Sequence, residues 1–482
     1  KAGIVNIDNS KITSSLHNEN IINLDTTSGK TTTIDGAITG SDGTININQA
    51  AGKTGTVILN NTVTDNNINQ YNGTVNLNKA LTGDYTLSNG TFVSNSDGSI
   101  NGTATVNGGT ATFGSTVTDA IITATTNKAT FNGNITNTAE ISGGSAEFNG
   151  TVGAATVSGT GSATFKNDVT TATISAGTLE QTAGTITTAN VNGGTATFGS
   201  TVTGASVTNG SATFNGAITN NAGITGGTVG INGGAGSVTQ SAGTSNLASA
   251  VTGTYTLSST GSLNANSGTS INALNILGGS AKIATGVAAN ITNVSLTGGT
   301  LDIMNGSASD VINFTDYGDT SIVKLDVALA GTSVSDKFNG SALSGKTITL
   351  GNENVNILSD LETVEGVMTI SDNTGIITNE VVLNSDVTGS RYKYLFKAAD
   401  AGKISIIRGL RNGLYEYVNE AVSTEFPATR TYNMTENDYV LQDLGTLNSG
   451  VTSLTVDGQS THSIISQGYK GVTLNSGTLS LN

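Results

Sequence analysis

The chain has 482 residues, 34 of them acidic against 19 basic, for a formal net charge of −15. A surface so charged repels a polyanion, so no nucleic-acid partner is expected. Charged residues are 11% and aromatics 5% of the chain, with 64 Gly, a single proline (Pro427) and neither Trp nor Cys, which is too lean for the thick core of ordinary globular domains.

A hydrophobic content of 35% nevertheless exceeds what a disordered tail carries. Something thin, repetitive and β-rich satisfies both facts. The absence of Cys removes disulfides, thiolate metal sites and cysteine nucleophiles together. No apolar run approaches the roughly 18 residues that span a bilayer, so no membrane insertion is expected. The chain opens on Lys1 and stops inside GTLSLN at Asn482, as a piece of a longer protein would.

In chain order, the first elements are short alternating phrases, GTVILNNTV and GTVNLNKAL, with Leu59 and Leu77 at equivalent places. From Asn107 to Ala120 the chain reads NGGTATFGSTVTDA, and from Asn192 to Ala205 it reads NGGTATFGSTVTGA, with only Asp119 replaced by Gly204. Between the two lie looser copies, and together they align Phe113, Phe131, Phe148, Phe165, Phe198 and Phe214 at nearly equal steps, except that the step from Phe165 to Phe198 is double. The double step hides one copy, GTLEQTAG, with Gln181 in the Phe place. The duplicated phrase is therefore five copies apart, and the six Phe form a predicted core ladder. Ile231, Leu247, Ile283 and Ile303 continue it.

Alternation of period two in runs this short predicts strands with one buried face. NG, GG and SG supply the positive φ of the corners. A period of about 17–20 residues sustained over roughly 300 residues predicts a stacked solenoid. The fold class expected is all-β, a parallel β-helix (β-solenoid). At this period the whole chain divides into about 25 coils, each rising about 4.8 Å.

Three sections follow from the texture: regular coils over 1–305, an irregular, more charged and Tyr-rich β section over 306–440, and resumed coils over 441–482. In the middle section acids cluster, among them Asp310, Asp316, Asp319, Asp326 and Asp336, and are expected to be solvated loop charges. LYEYVNEAV from Leu414 fits either a short helix or a strand. Arg391, Tyr392, Tyr394, Arg411, Tyr415 and Tyr417 are singled out as a partner contact, because Tyr and Arg together dominate interface hot spots.

Several motifs fail on context. GSALSGKT at 340–347 spells a phosphate-binding loop, but an alternating strand phrase follows it where that chemistry needs a helix N-terminus. Isolated carboxylates such as Glu147 and Glu180, two coils apart in one outward column, do not make the pair a glycosidase requires. His17 and His462 are the only histidines. Acidic turns such as SDG at 41–43 and TDYGD at 315–319 carry no recognised calcium-loop spacing. No catalytic, cofactor-binding or metal residue is nominated, and no cofactor or enzyme activity is expected.

Gly/Asn/Thr/Ser-rich, acidic, Cys-free coils of the form G-[ST]-A-x-F-x-G-x-[VI], as in GTATFGSTV, GSAEFNGTV and GSATFNGAI, resemble the passenger domains of bacterial autotransporters. The resemblance covers nearly the whole chain in style, without an invariant motif, and these 482 residues do not include the translocator barrel that complete family members carry. It implies a right-handed parallel β-helix exported to the cell surface or secreted. The expectation is an extracellular structural or adhesive protein that aggregates, forms filaments or a surface layer, or binds a host or bacterial receptor or glycan. A carbohydrate-active β-helix enzyme and a phage tail-fibre or tailspike segment are the alternatives.

Overall fold

In a computed structural model the described residues are 3–330, 334–351, 353–359, 361, 365–372, 377–378, 381–384, 392–398 and 402–410, with five short strands between 429 and 481. Beyond residue 376, side chains are described only for Tyr394, Phe396 and residues 402–406. The chain is a β-solenoid of parallel, stacked coils, about 17 residues per turn and about 18 turns, with 2% helix. Two compact units divide it, Lys1–Gly253 and Thr254–Asn482.

One coil of the first unit shows how the sequence makes the fold. In the strand Thr110–Phe113 the outward Thr110 and Thr112 alternate with buried Ala111 and Phe113. A short turn follows, and Val117 starts the strand Val117–Ile122 with its side chain inside. The chain then bends: pairing with the next coil passes from Val117↔Ile135 to Ala120↔Ala139, with the register shifting between them. Ala120 and Ile122 point inward again. Earlier coils reveal what the bend is. There the same course is two strands, Leu81–Thr82 and Tyr85–Leu87, and the single strand Ile100–Val106 pairs with both, through Leu81↔Ile100 and Tyr85↔Ala104. Each coil thus has three short faces, and the longer strand is two of them joined at a corner.

The third corner is made by glycine. Gly73, Gly90, Gly109, Gly144, Gly177, Gly194, Gly210, Gly227 and Gly243 all hold positive φ there. The carbonyls of Gly73 through Gly227 in this set accept from the strand that starts in the next coil, as in Thr195 N–H to Gly177 O at 3.0 Å. Any Cβ at Gly177 would collide with Gly161 O, so the close approach between coils excludes a side chain. Asn127 stands in this column, donating from Nδ2 to Val106 O at 2.6 Å.

The register is strict. Thr110, Lys128, Ser145, Ser162, Thr178 and Thr195 pair in succession, so five steps carry the chain from Thr110 to Thr195 and return it to the same phrase. In-register parallel pairing brings like residues together, and the Phe column becomes a stack. Ring centroids of Phe113 and Phe131 are 4.5 Å apart, those of Phe131 and Phe148 5.0 Å, and those of Phe148 and Phe165 4.9 Å, with planes within 10° of parallel. Phe198 and Phe214 stack at 4.6 Å. Between the two runs lies Gln181, 1% exposed, paired with Phe165 on one side and Phe198 on the other.

Two inward positions per coil share a fixed space on this face. Where the second is Phe the first is Ala. In three coils a smaller second residue accompanies a larger first one, Phe92 with Ser94, Leu179 with Gln181, and in the second unit Leu263 with Ala265, whereas Ser245 with Leu247 and Ala281 with Ile283 keep a small first residue. A narrow, close-packed interior admits one aromatic side chain per level on this face, in either column.

The second unit begins with similar coils and then widens. Its successive steps run from Ser262 to Ser280, then to Thr300, then to Ile322, each longer than the one before. The step from Leu325 to Val355 is longer still. Inside that long coil the chain turns back on itself, pairing Val327 with Ser335 and Ala328 with Val334 in antiparallel fashion. An antiparallel sheet follows, ordered Glu365–Thr369, Lys403–Leu410, Tyr392–Ala398, Val381–Asn384. About 18 turns form where dividing length by period predicts about 25, and among the described residues the coils lengthen and give way to an antiparallel sheet. Parallel pairs at short steps recur near the end, Leu454↔Val472 and Thr461↔Thr478. The Leu414 phrase lies outside the described residues.

Candidate functional site

Of the residues expected at a partner contact, Arg391, Arg411, Tyr415 and Tyr417 lie outside the described residues. Tyr392 opens a strand and pairs with Leu410 through the backbone. Tyr394 corrects the expectation of a surface contact: it is fully buried, and its hydroxyl accepts the Leu361 N–H at 3.4 Å. On that strand the alternation that sends Phe396 inward sends Tyr394 with it, so its ring serves packing. GSALSGKT is a 3-10 turn at Ser341–Leu343 followed by the short strand Thr347–Ile348, with no helix to hold a phosphate.

The acids of the irregular section give the second correction. Asp316 and Asp319 are exposed, but Asp310, Asp326 and Asp336 are buried, the last two completely. Asp336 accepts the Asp310 N–H at 2.9 Å on Oδ1 and the Asp326 N–H at 2.8 Å on Oδ2. Asp326 in turn accepts three successive N–H groups on Oδ2, from Asn305 and Gly306 at 2.7 Å and Ser307 at 3.2 Å. Its Oδ1 accepts from Asn356 Nδ2 at 2.5 Å, and Asp310 Oδ2 accepts from Asn305 Nδ2 at 2.6 Å.

Every donor in this node is a neutral N–H. Among the described residues no cation compensates the burial, which pushes the Asp336 carboxyl up to about 7, against the pull of its two backbone hydrogen bonds. Burial raises Asp310 as well, while Asn305 pulls it down. Among the described residues, no group of three or more His, Cys, Asp or Glu is arranged to hold a metal ion. A local signal for one member existed: Asp310, Ile312 and Phe314 alternate, and all three point inward.

On the outer side of the same segment is a groove of about 450 Å³, lined by Ala308, Ser309, Val311, Val334, Lys337 and Val367 among others. Val311, Val334 and Val367 are 40%, 46% and 59% exposed. The groove and the node are two faces of one piece of chain, since Val311 and Lys337 pair across adjacent strands directly beside Asp310 and Asp336.

The first unit presents a different surface, made of polar columns. Asn6, Asn23, Asn46 and Asn69 form one ladder, side chain to side chain, at 2.8, 3.1 and 3.4 Å. The residue after each large inward one forms another: Asn60 donates to Asp35 at 2.7 Å, Asn78 to Asn60 at 2.7 Å and Asn95 to Asn78 at 3.3 Å. The pattern returns with Asn149 on Asn132 and Asn232 on Asn215. Glu147 breaks the neutral coat and is paired with Lys166 of the next coil. Glu147 and Glu180 face the same intervening Thr164, two coils and thus about 10 Å apart.

Compared with known proteins, the chain matches no family model, no curated protein and no solved structure.

Proposed function

We propose that this chain is a structural and adhesive module of a bacterial cell surface or secreted protein, working outside the cell in the manner of an autotransporter passenger. The observation that carries the reading is the coat of the first unit, in which columns of Asn side chains bond from coil to coil over an apolar interior. A coat of neutral amides presents many identical donors and acceptors at one spacing, which suits repeated weak contacts with a glycan, a receptor or a second copy of the chain. The negative net charge also favours a soluble, non-collapsing surface.

The enzyme reading has less support. The carboxylates that cluster do so inside the second unit, with their oxygens occupied by N–H donors. Glu147 and Glu180, which share a surface column, stand two coils and about 10 Å apart, wider than a glycosidase pair.

The test is adhesion by the purified chain. Beads coated with it are expected to aggregate or to bind bacterial or host cells, and electron microscopy over a dilution series shows whether copies associate. Beads that stay dispersed and bind no cell, together with release of oligosaccharides from a polysaccharide panel, would replace this reading with the enzymatic one.

A further inference from the structure

We propose that the Asp310–Asp326–Asp336 node is a proton-operated brace, which holds the inner side of the valine groove tight when protonated and loosens it when ionised. The geometry is that of a brace because the node adds side-chain ties between pieces of chain that otherwise meet through short backbone pairings, such as Lys337 N–H to Asp310 O at 2.8 Å and Asp336 N–H to Asp326 O at 3.1 Å. Asp326 holds the backbone of the 305–307 turn through three N–H groups on Oδ2, and Asp310 holds the Asn305 side chain of the same turn. The residues at 310 and 326 are held by the two oxygens of one carboxylate, Asp336. Asp336 follows the antiparallel reversal in which Val327 pairs with Ser335 and Ala328 with Val334.

Three buried carboxylates cannot all ionise cheaply at close range without a cation. Among the described side chains, no Lys or Arg is bonded to the three carboxylates. Lys337, next to Asp336, reaches outward to Asp372 at 3.2 Å. Lys324, two residues before Asp326, is half-buried on the strand neighbouring Asp302. The strand Val355–Ser359 offers only the neutral Asn356 amide. No residue from Ile303 to Ser309 is charged, and none from Gly366 to Ser371. A bound proton lowers the charge, and burial favours its retention on Asp336.

Losing that proton sets like charges against each other beneath Val311, Val334 and Ser335, which line the groove. Looser backbone there changes the groove's shape, so the exposed apolar surface responds to pH.

Hydrogen exchange of the full chain, followed by mass spectrometry and corrected for intrinsic rates, reads the brace directly. Peptides covering 305–310 and 326 are expected to lose roughly tenfold or more of their protection between pH 5.5 and pH 8, the range a group titrating near 7 governs. Asp336→Asn is expected to make protection independent of pH over this range. Unchanged protection in the parent chain, or an unchanged pH response in Asp336→Asn, overturns the proposal. If that variant fails to fold, Asp310→Asn serves instead: removing one neighbouring charge must move the midpoint of the response to lower pH, and a midpoint that stays put overturns the proposal equally.

Discussion

Phe113 and Phe131 lie face to face, their ring centroids 4.5 Å apart and their planes within 3° of parallel, because one turn of the coil brings each strand into register on the last. The stack continues through Phe148 and Phe165, so each inner ring has an aromatic neighbour above and below. Removing one leaves a void that two rigid coils cannot close. Phe148→Ala is expected to cost about 3–5 kcal/mol, measured as the shift in the denaturation midpoint of the chain. A cost below about 1 kcal/mol would mean that the interior collapses around the gap.

Leu179 and Gln181 should behave as a coupled pair. Gln181 Nε2 donates to Gly184 O at 2.9 Å and Thr201 O at 3.1 Å, while its buried Oε1 has no partner. Gln181→Phe alone overfills the level by about 1–3 kcal/mol, and Leu179→Ala alone opens a cavity costing about 2–5 kcal/mol. Together they rebuild the Ala-x-Phe phrase of the flanking coils. A double-mutant cycle is expected to give a favourable coupling of about 1–3 kcal/mol; strict additivity would contradict the shared-space rule.

Gly177→Ala tests the corner. The backbone there has φ of 73°, which costs a residue with a Cβ about 1–2 kcal/mol, and the new methyl would meet Gly161 O. The expected loss exceeds that strain alone, since backbone must move. Gly204→Ala is the control: its nearest outside atom is 3.9 Å from the ideal Cβ, and near-neutral stability is expected by thermal unfolding.

Asn149→Ala should matter little. Its bond to Asn132 is on the exposed coat, where a hydrogen bond contributes about 0.5–1.5 kcal/mol net at most and water replaces the lost partner. A small stability change with reduced bead aggregation would separate the coat's adhesive work from its structural work.

The pH dependence of stability has a definite sign. The carboxyl of Asp336 releases its proton near 3.8 when unfolded and near 7 when folded. Between those values the folded chain binds the extra proton, so this residue's contribution to stability falls as pH rises from about 4 to about 7 and is flat beyond. Because the other acids of the chain titrate too, the measurable quantity is the difference between the parent and Asp336→Asn in denaturation midpoint across pH 4 to 8. The parent is expected to lose more stability over that window than the variant; parallel curves would show that Asp336 titrates normally.

The sequence by itself determined the coil. A repeated phrase with small and large apolar residues at i and i+2 has one way to bury both and still meet its own copies in register, so the Phe column, Gln181 within it and the glycine corners were legible from spacing. Tertiary structure decided what breaks period. Asp316 and Asp336 look alike in the chain, yet the first is exposed and the second completely buried. The difference arises from N–H groups 10 and 26 residues away, which only the reversal between Ala328 and Val334 brings to hand. Tyr394 went the same way, taken inside by the face of an antiparallel sheet whose partners no local pattern names. Periodic contacts are written in the sequence because each residue meets its own repeat; aperiodic contacts depend on where a long loop returns, and that is settled by the fold as a whole.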